Sequence, residues 1–381
     1  MRFIGKVGSR LLYSDRLENA GADEVSTQYQ KKSANLRRFR YGPVTGGLIE
    51  NIGFEVDTYG EIINAVSPVF YKRRTARVYT DPREALLWIE RVNANFAASH
   101  AVSFLSAIEN ACQVERTDEI SLGRVAQLEL ERIRNHIFVG YRLCEAAGFS
   151  VPAAELLYLV EDANRLISRT FGHRYFFGAN TLRGFRIQEQ PDLGRLEKIV
   201  LDFSGTIHGI LENRIFIDRI QECGVVRDKQ ATGPAARACG LEFDARSDGD
   251  YREVYTQLGF RPRLESTCDA FGRLSVRAEE VLQSFGLIKR IRLEKTAAAP
   301  RVLSSEPVTG PGLARVESPS GDLAYYVEFE KGRLSKVNLL SASETNIRLF
   351  CETMVDGVFT DLPFNWESFG IWVSEVGVNF R

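Results

Sequence analysis

The stretch TDEISLGRVAQLELERIRNHIFVGYRLCEAA, Thr117–Ala147, decides the fold. Leu122, Val125 and Leu128, then Leu130, Ile133 and Ile137, recur at three- and four-residue steps. That spacing lines apolar side chains along one face of an α-helix. Gly148 follows directly and stops it. The span is far longer than an average helix, and a helix of this length needs other helices around it. The flanking sequence supplies them. One helix opens at Asp81-Pro82 and runs to about Cys112; another starts after Pro152 and fades near Gly172. A fourth covers Asp192 to Glu222, and a fifth Asp269 to Phe285. Proline at the first helical turn is tolerated because its missing N–H has no partner there in any case.

Outside the helices, periodicity falls to two. Ile52–Val56 and Ile62–Val66 flank Thr58-Tyr59-Gly60 and predict a hairpin. Leu313–Leu340 predicts a second hairpin region, with turns at Ser320-Gly321-Asp322 and Lys331-Gly332. A short helix over Ser343–Val355 and an irregular tail complete the chain. Residues 1–46 are irregular and basic, with Lys31-Lys32 and Arg37-Arg38-Phe39-Arg40; they suit either a solvated tail or an arm laid on a partner subunit. The organisation read here is a basic arm over 1–46 and one domain over 47–381. That domain comprises a hairpin (47–79), a helical bundle (80–290) and a C-terminal hairpin with its tail (313–381). The fold class is α+β, mainly helical, a long-helix bundle with hairpins from both ends.

Composition narrows the function. With 49 Lys+Arg against 50 Asp+Glu the net charge is -1, so the chain has no general attraction to nucleic acid or an anionic membrane face. No apolar run approaches the roughly 18–20 residues that cross a bilayer, and Met1–Arg10 lacks the apolar centre of a signal peptide. The expectation is a cytoplasmic protein that meets the membrane only through partner subunits. The cysteines Cys112, Cys144, Cys223, Cys239, Cys268 and Cys351 form no Cys-x-x-Cys, which leaves buried free thiols as the ordinary reading. No glycine-rich turn sits between a strand and a helix, so a dinucleotide fold is not expected.

Several segments, in order, resemble one superfamily: the large subunits of group 4 [NiFe]-hydrogenases and of respiratory complex I. Glu129-Leu130-Glu131-Arg132-Ile133-Arg134-Asn135-His136 resembles its Glu-Leu-x-Arg-Ile-x-x-His helix. Asn213-Arg214-Ile215-Phe216 and Thr232-Gly233-Pro234 with Arg237 and Gly240 resemble two further motifs. So do Asp269, Arg273, Arg277 and Glu280 at four- and three-residue steps, Val316–Gly321, and Thr360-Asp361-Leu362-Pro363. The resemblance implies a hydrogenase-type large-subunit fold and partners: a small iron–sulfur subunit that carries the cluster, other complex I-like peripheral subunits, and membrane-arm subunits. It also implies a nickel–iron centre held by two Cys-x-x-Cys pairs, since soft thiolates suit those metals. At the matching positions this chain carries Asn93 and Phe96, then Trp372 and Glu375, with His100 at the family's histidine. These side chains cannot supply four thiolates, so no NiFe centre, and no other cofactor, is expected in this chain.

The candidate residues of the altered cavity are His100, Glu375, Asn93 and Glu129. His100 suits either a hydrogen-bonded core histidine or a proton relay. Phe96, Trp372 and Trp366 read as space-filling side chains. Arg132 and His136 share a helical face that meets another helix or a partner subunit, while Asp269, Arg273 and Arg277, with Arg237, form either a salt-bridged surface ridge or a buried charge network facing the iron–sulfur partner. Of the quinone-head donors that the resemblance implies, the tyrosine of a longer segment between Glu90 and His100 is missing and no histidine follows Gly42-Pro43; Tyr41 and Tyr59 stand as substitutes in principle. Two functions follow: the peripheral large subunit of an ion-translocating, complex I-like oxidoreductase passing electrons to a quinone-like or ferredoxin-linked substrate, or a non-catalytic scaffold that couples the iron–sulfur subunit to the membrane arm. An open polar cavity beside Asn93 favours the first; a cavity filled by Phe96 and Trp372 favours the second.

Overall fold

The computed structural model describes residues 2–7, 10–14, 16–19, 36–43, 52–71, 75–76, 79–228, 230–293, 301–302 and 308–380. Its helices are α1 (Pro82–Ile89), α2 (Ala97–Ala111), α3 (Asp118–Ala146), α4 (Ser150–Phe171), α5 (Leu193–Leu211), α6 (Arg214–Ile220), α7 (Gly233–Arg237), α8 (Ala245–Asp248), α9 (Arg252–Gln257), α10 (Ala270–Ile288), α11 (Ala342–Thr353) and α12 (Leu362–Phe369). The architecture is mainly helical α+β, with small antiparallel sheets.

α3, 29 residues long, is the axis. The Thr117 hydroxyl caps it by accepting from the Ile120 N–H at 3.4 Å. It is buried along most of its length, because α2, α4, α10 and α12 all pack on it. Its apolar residues share one core with Leu156 and Ile167 of α4, Phe203 of α5 and Leu274 of α10. Gly172, at φ 89, ends α4 in the left-handed conformation that favours glycine.

Two expected helices are each divided, in both cases at an asparagine. The helix drawn over 81–112 becomes α1, a short 3-10 turn (Ala94–Phe96) and α2. The Asn93 side chain accepts from the Asn95 N–H at 3.0 Å, and the helix restarts behind it. The helix drawn over 192–222 breaks at Asn213, whose side chain accepts from the Ile215 N–H at 3.0 Å and opens α6. Asparagine offers the backbone a local partner that competes with continued helix.

The first hairpin pairs Ile52–Tyr59 with Ile62–Phe70 around Gly60-Glu61. A third strand, Arg37–Tyr41, adds to it, which corrects the reading of residues 1–46 as irregular. Two of its three arginines are answered across the ladder, Arg38 by Asp57 at 2.6 Å and Arg40 by Glu55 at 2.5 Å. Phe3–Val7, Arg10–Tyr13 and Leu17–Asn19 form a separate meander. Lys31-Lys32 and Val44–Gly47 lie outside the described residues.

The C-terminal sheet is a three-stranded meander: Gly310–Ser318, Gly321–Glu330 and Arg333–Leu340. Its middle strand is buried on both faces. Leu323, Tyr325 and Val327 join the helical core, while Ala324 and Tyr326 meet Ile4, Val7 and Leu12 of the N-terminal meander. Period two thus assigns one face to each neighbour. α2 lies so close to the sheet that a Cβ at Gly312 would sit 2.0 Å from the Ala107 carbonyl oxygen. The tail is not irregular: Pro363 starts α12, Gly370 at φ 64 ends it, and a 3-10 turn (Val373–Glu375) follows.

Candidate functional site

The break at Asn93 and the turn after α12 bring distant residues together. Asn93 Nδ2 donates to Glu375 Oε1 at 2.9 Å. His100, on α2, places Nε2 3.1 Å from the same oxygen and Nδ1 2.8 Å from the Tyr325 hydroxyl. Ser343, at the start of α11, donates to Glu375 Oε2 at 2.8 Å. A carboxylate already accepting from Asn93 and Ser343 accepts from the His100 Nε2–H as well, and Nδ1 then accepts from Tyr325. Burial, reinforced by Glu375, raises the Tyr325 hydroxyl well above its ordinary pKa, so it keeps the proton it donates.

Aromatic rings close the cluster. Phe96 is 0% exposed and meets Trp372, 7% exposed, edge to face at 6.2 Å. Phe138 of α3 stacks on the other side of Trp372 at 5.7 Å. The carboxylate of Glu131 accepts from the Ala98 and Ser99 N–H groups at 2.8 and 3.0 Å, fixing the start of α2. A cavity of about 560 Å³ between the first hairpin and α11, and one of about 330 Å³ against Phe138, both stop short of Asn93, His100 and Trp372. Every side-chain hydrogen-bonding atom of Glu375 and His100 is engaged within the protein.

A second buried assembly lies along α3 and α10. Arg237 reaches Glu317 at 2.7 Å, Asp244 at 2.9 Å and Glu280 at 2.7 Å. Arg246 reaches Asp244 at 2.7 Å and Glu280 at 2.8 Å. Arg132 bonds Glu129 at 3.3 Å and the Glu317 carbonyl at 2.7 Å. Arg277 donates to His136 Nδ1 at 3.1 Å, so His136 gives its Nε2–H to Glu280 at 2.8 Å. Burial lowers His136 to about 3, leaving it neutral. Burial pulls Glu280 up, but Arg237, Arg246 and His136 together outweigh it and hold this carboxyl well below its ordinary value. Glu317, pushed by burial and by Asp244, rises to about 7 despite Arg237.

The structure therefore joins Asn93, His100 and Glu375, and places Phe96 and Trp372 around them. Glu129 is elsewhere: it accepts from Tyr255 at 2.7 Å and Ser284 at 2.6 Å within the ion network, because it projects from α3 toward α10 and not toward α2. Asp269, Arg273 and Arg277 do not form a surface ridge. All are buried within the chain: Asp269 caps α10 through the Gly272 N–H at 2.9 Å, Arg273 holds Asn365 and Ser368 of α12 at 2.9 Å, and Arg277 bonds the Phe369 carbonyl at 2.8 Å. Tyr41 packs edge to face on Phe359, and Tyr59 is exposed at a turn. Sequence reasoning missed Tyr325, Ser343 and Phe138 in the closed cluster, and Asp244 and Arg246 in the network. None carries a local signal, since each is joined to its site only by tertiary packing.

The nickel–iron centre implied by the resemblance does not fit these residues. The four matching positions present an amide, a phenyl ring, an indole and a carboxylate, already bonded or packed to one another. Among the described residues no group of three or more His, Cys, Asp or Glu is placed to hold a metal. Burial raises the thiols of Cys144, Cys223 and Cys351 to about 12, which keeps them protonated. No helix among the described residues is long and apolar enough to cross a membrane.

Comparison with known proteins places this geometry. Residues 201–308 match the family model described as Respiratory-chain NADH dehydrogenase, 49 Kd subunit. The carbon monoxide-induced hydrogenase of Rhodospirillum rubrum is 25% identical over 310 residues, covering 75% of this chain and 84% of its own. An NADH-quinone oxidoreductase subunit of Roseiflexus sp. (strain RS-1) is 27% identical over 313 residues, covering 75% and 82%. A chain in the structure of the membrane-bound sulfane sulfur reductase, an archaeal respiratory membrane complex, shares the fold. It has a TM-score of 0.79 and 19% identity, covering 90% of this chain and 98% of that one. In its motifs and in these relatives, the chain is similar to complex I 49-kDa proteins and related hydrogenase large subunits.

Proposed function

We propose that this chain is the peripheral large subunit of a membrane-bound, complex I-like or hydrogenase-related oxidoreductase, and that its former metal position is a structural plug. In this reading the subunit lacks a nickel–iron centre, sits on the cytoplasmic side, scaffolds an iron–sulfur partner and couples it to the membrane arm. The observation that carries the reading is the pairing at the four ligand positions: Asn93 bonds Glu375 at 2.9 Å, and Phe96 packs on Trp372 at 6.2 Å. The space there is filled, and the Asn93 and Glu375 side chains are engaged with each other. A second reading keeps electron transfer to a quinone-like or ferredoxin-linked substrate. It is supported by the cavity of about 560 Å³ whose lining includes Pro68, Phe70 and Glu344, one residue from Ser343.

The test uses the purified complex. Nickel near one atom per chain overturns the absence of the metal centre. To divide the two readings, the conservative variant Glu375→Gln is compared with the parent complex. The plug reading expects turnover within about threefold of the parent and unchanged subunit composition. Loss of about a hundredfold or more, the scale of a missing acid–base group, with composition unchanged, favours electron and proton chemistry at this cluster.

A further inference from the structure

We infer that the cavity between α3 and α4 is a docking pocket for a main-chain amide carried on a loop of a partner polypeptide. The cavity holds about 330 Å³, and its lining includes Asn95, Arg134, Asn135, Phe138, Asn164 and Tyr175. Asn135 is 1% exposed, and neither its Nδ2 nor its Oδ1 has a hydrogen-bond partner in the chain. Asn164 is 6% exposed, and its Oδ1 is unmet as well. Buried polar atoms nearly always find partners. Three unmet atoms, on two neighbouring helices lining one cavity, therefore mark a place that another molecule completes.

The chemistry selects the molecule. A carboxamide presents a donor and an acceptor side by side, and a second amide answers both in one contact. Polypeptide backbone is the common source of that group. The charges nearby are already answered. Arg134 is neighboured by Glu131 and donates to the Asn95 carbonyl; Glu161 at the rim holds Arg165 at 3.0 Å and Arg174 at 2.8 Å. Little net charge is left to select an ion. Beside this polar centre stand an apolar side chain and an aromatic–arginine pair, and aromatic residues and arginine are enriched at protein interfaces. Leu157 is 44% exposed on one side, and on the other Tyr175 lies 5.1 Å below the Arg134 guanidinium. Phe138 forms a wall of this cavity and also stacks on Trp372. A loop seated here rests against the back of the closed cluster. This inference rests on the reading of the chain as one subunit of a larger complex, and adds where a neighbour touches it.

The test replaces Leu157 with the photo-reactive residue p-benzoylphenylalanine in the assembled complex, with the attached peptide identified by mass spectrometry. The expected product is one loop of one co-purifying subunit, with about fivefold less of it when Asn164→Leu is added and about thirtyfold less with Asn135→Leu, as loss of one and of two hydrogen bonds predicts. The purified full-length chain carrying Asn135→Leu is expected to unfold at the same or a higher temperature than the parent, since unmet polar atoms leave the interior. Attachment to no polypeptide, attachment unaffected by both asparagine variants, or a clearly lower unfolding temperature overturns the proposal. A complex that assembles normally but links elsewhere removes the docking site and leaves the subunit reading standing. Failure to recover any complex removes both.

Discussion

Two buried carboxylates, Glu375 and Glu280, show how differently one fold can hold the same group. Glu375 is met by an amide, a hydroxyl and an imidazole and is walled by aromatic rings. Glu280 is met by Arg237, Arg246 and His136. The sites are linked through the end of α12: Arg277 of the network bonds the Phe369 carbonyl at 2.8 Å, and Ser320 donates to the Gly370 carbonyl at 2.5 Å, two residues before Trp372. The first site depends on fit, the second on charge balance. A carboxylate met by an amide, a hydroxyl and an imidazole can be replaced by an amide at modest cost. One held by arginines cannot, because its removal strands buried cations.

The comparison is sharpest at Glu280. Glu280→Gln leaves Arg237 and Arg246 short of an anion in the chain interior, where breaking a buried pair costs about 3–5 kcal/mol. Chemical denaturation of the purified chain should show that loss. A cost below about 1 kcal/mol breaks the distinction between the two sites.

The next effect is in pH. Glu317 is raised by burial and by Asp244 to about 7 from 4.5, so its protonated form favours the fold below 4.5, and that contribution is lost as pH rises to about 7. His136 is lowered by burial to about 3 from 6.5, so its contribution is present above 6.5 and is lost as pH falls toward 3. Between 4.5 and 6.5 the two slopes oppose. Glu317→Gln should make stability rise with pH relative to the parent by about 1.4 kcal/mol per pH unit in that window. His136→Gln, whose amide can still give to Glu280 and accept from Arg277, should tilt it the other way. Denaturation series at several pH values measure both, and slopes of the same sign in the two variants overturn the assignment.

Glu375→Gln should cost only about 1 kcal/mol, the scale of one net hydrogen bond. The glutamine oxygen can still accept from Asn93 and His100, and the Ser343 hydroxyl can turn to accept from the new amide. A cost as large as that of Glu280→Gln removes the contrast.

The two sites were unequally legible in the sequence, for physical reasons. α3 was readable because its apolar period is local and long. The strand Arg37–Tyr41 was not, because its charges are cancelled by Glu55 and Asp57 across a ladder. The breaks at Asn93 and Asn213 were hidden for the opposite reason: both asparagines sit in stretches of otherwise good helical pattern, and only the side-chain hydrogen bond shows which asparagine interrupts. Asn93, Phe96, Trp372 and Glu375 were singled out because the motifs around them resemble a known pattern, although the residues themselves do not. Tyr325 sits in a strand, two residues from Leu323 and Val327, and reads as another core aromatic until His100 is found 2.8 Å away. The ion network is assembled from α3, α7, α8, α10 and the C-terminal sheet; no one segment contains enough of it to be recognised.

The smallest expected effect tests whether the closed cluster is held by shape alone. Trp372 Nε1 is buried without a hydrogen-bond partner in the chain, so the indole brings an unmet donor into an otherwise satisfied site. Trp372→Phe removes that donor, which by itself favours the fold, and keeps a ring to meet Phe96 and stack on Phe138. Against this stands the lost area and the small void left by the second ring. The two terms oppose at similar size, so the net change in denaturation free energy should fall within about 1 kcal/mol. A loss of about 3 kcal/mol or more means that the indole N–H is used, by a bound water or by a neighbour, and that the cluster around Glu375 is polar in a way its aromatic wall does not reveal.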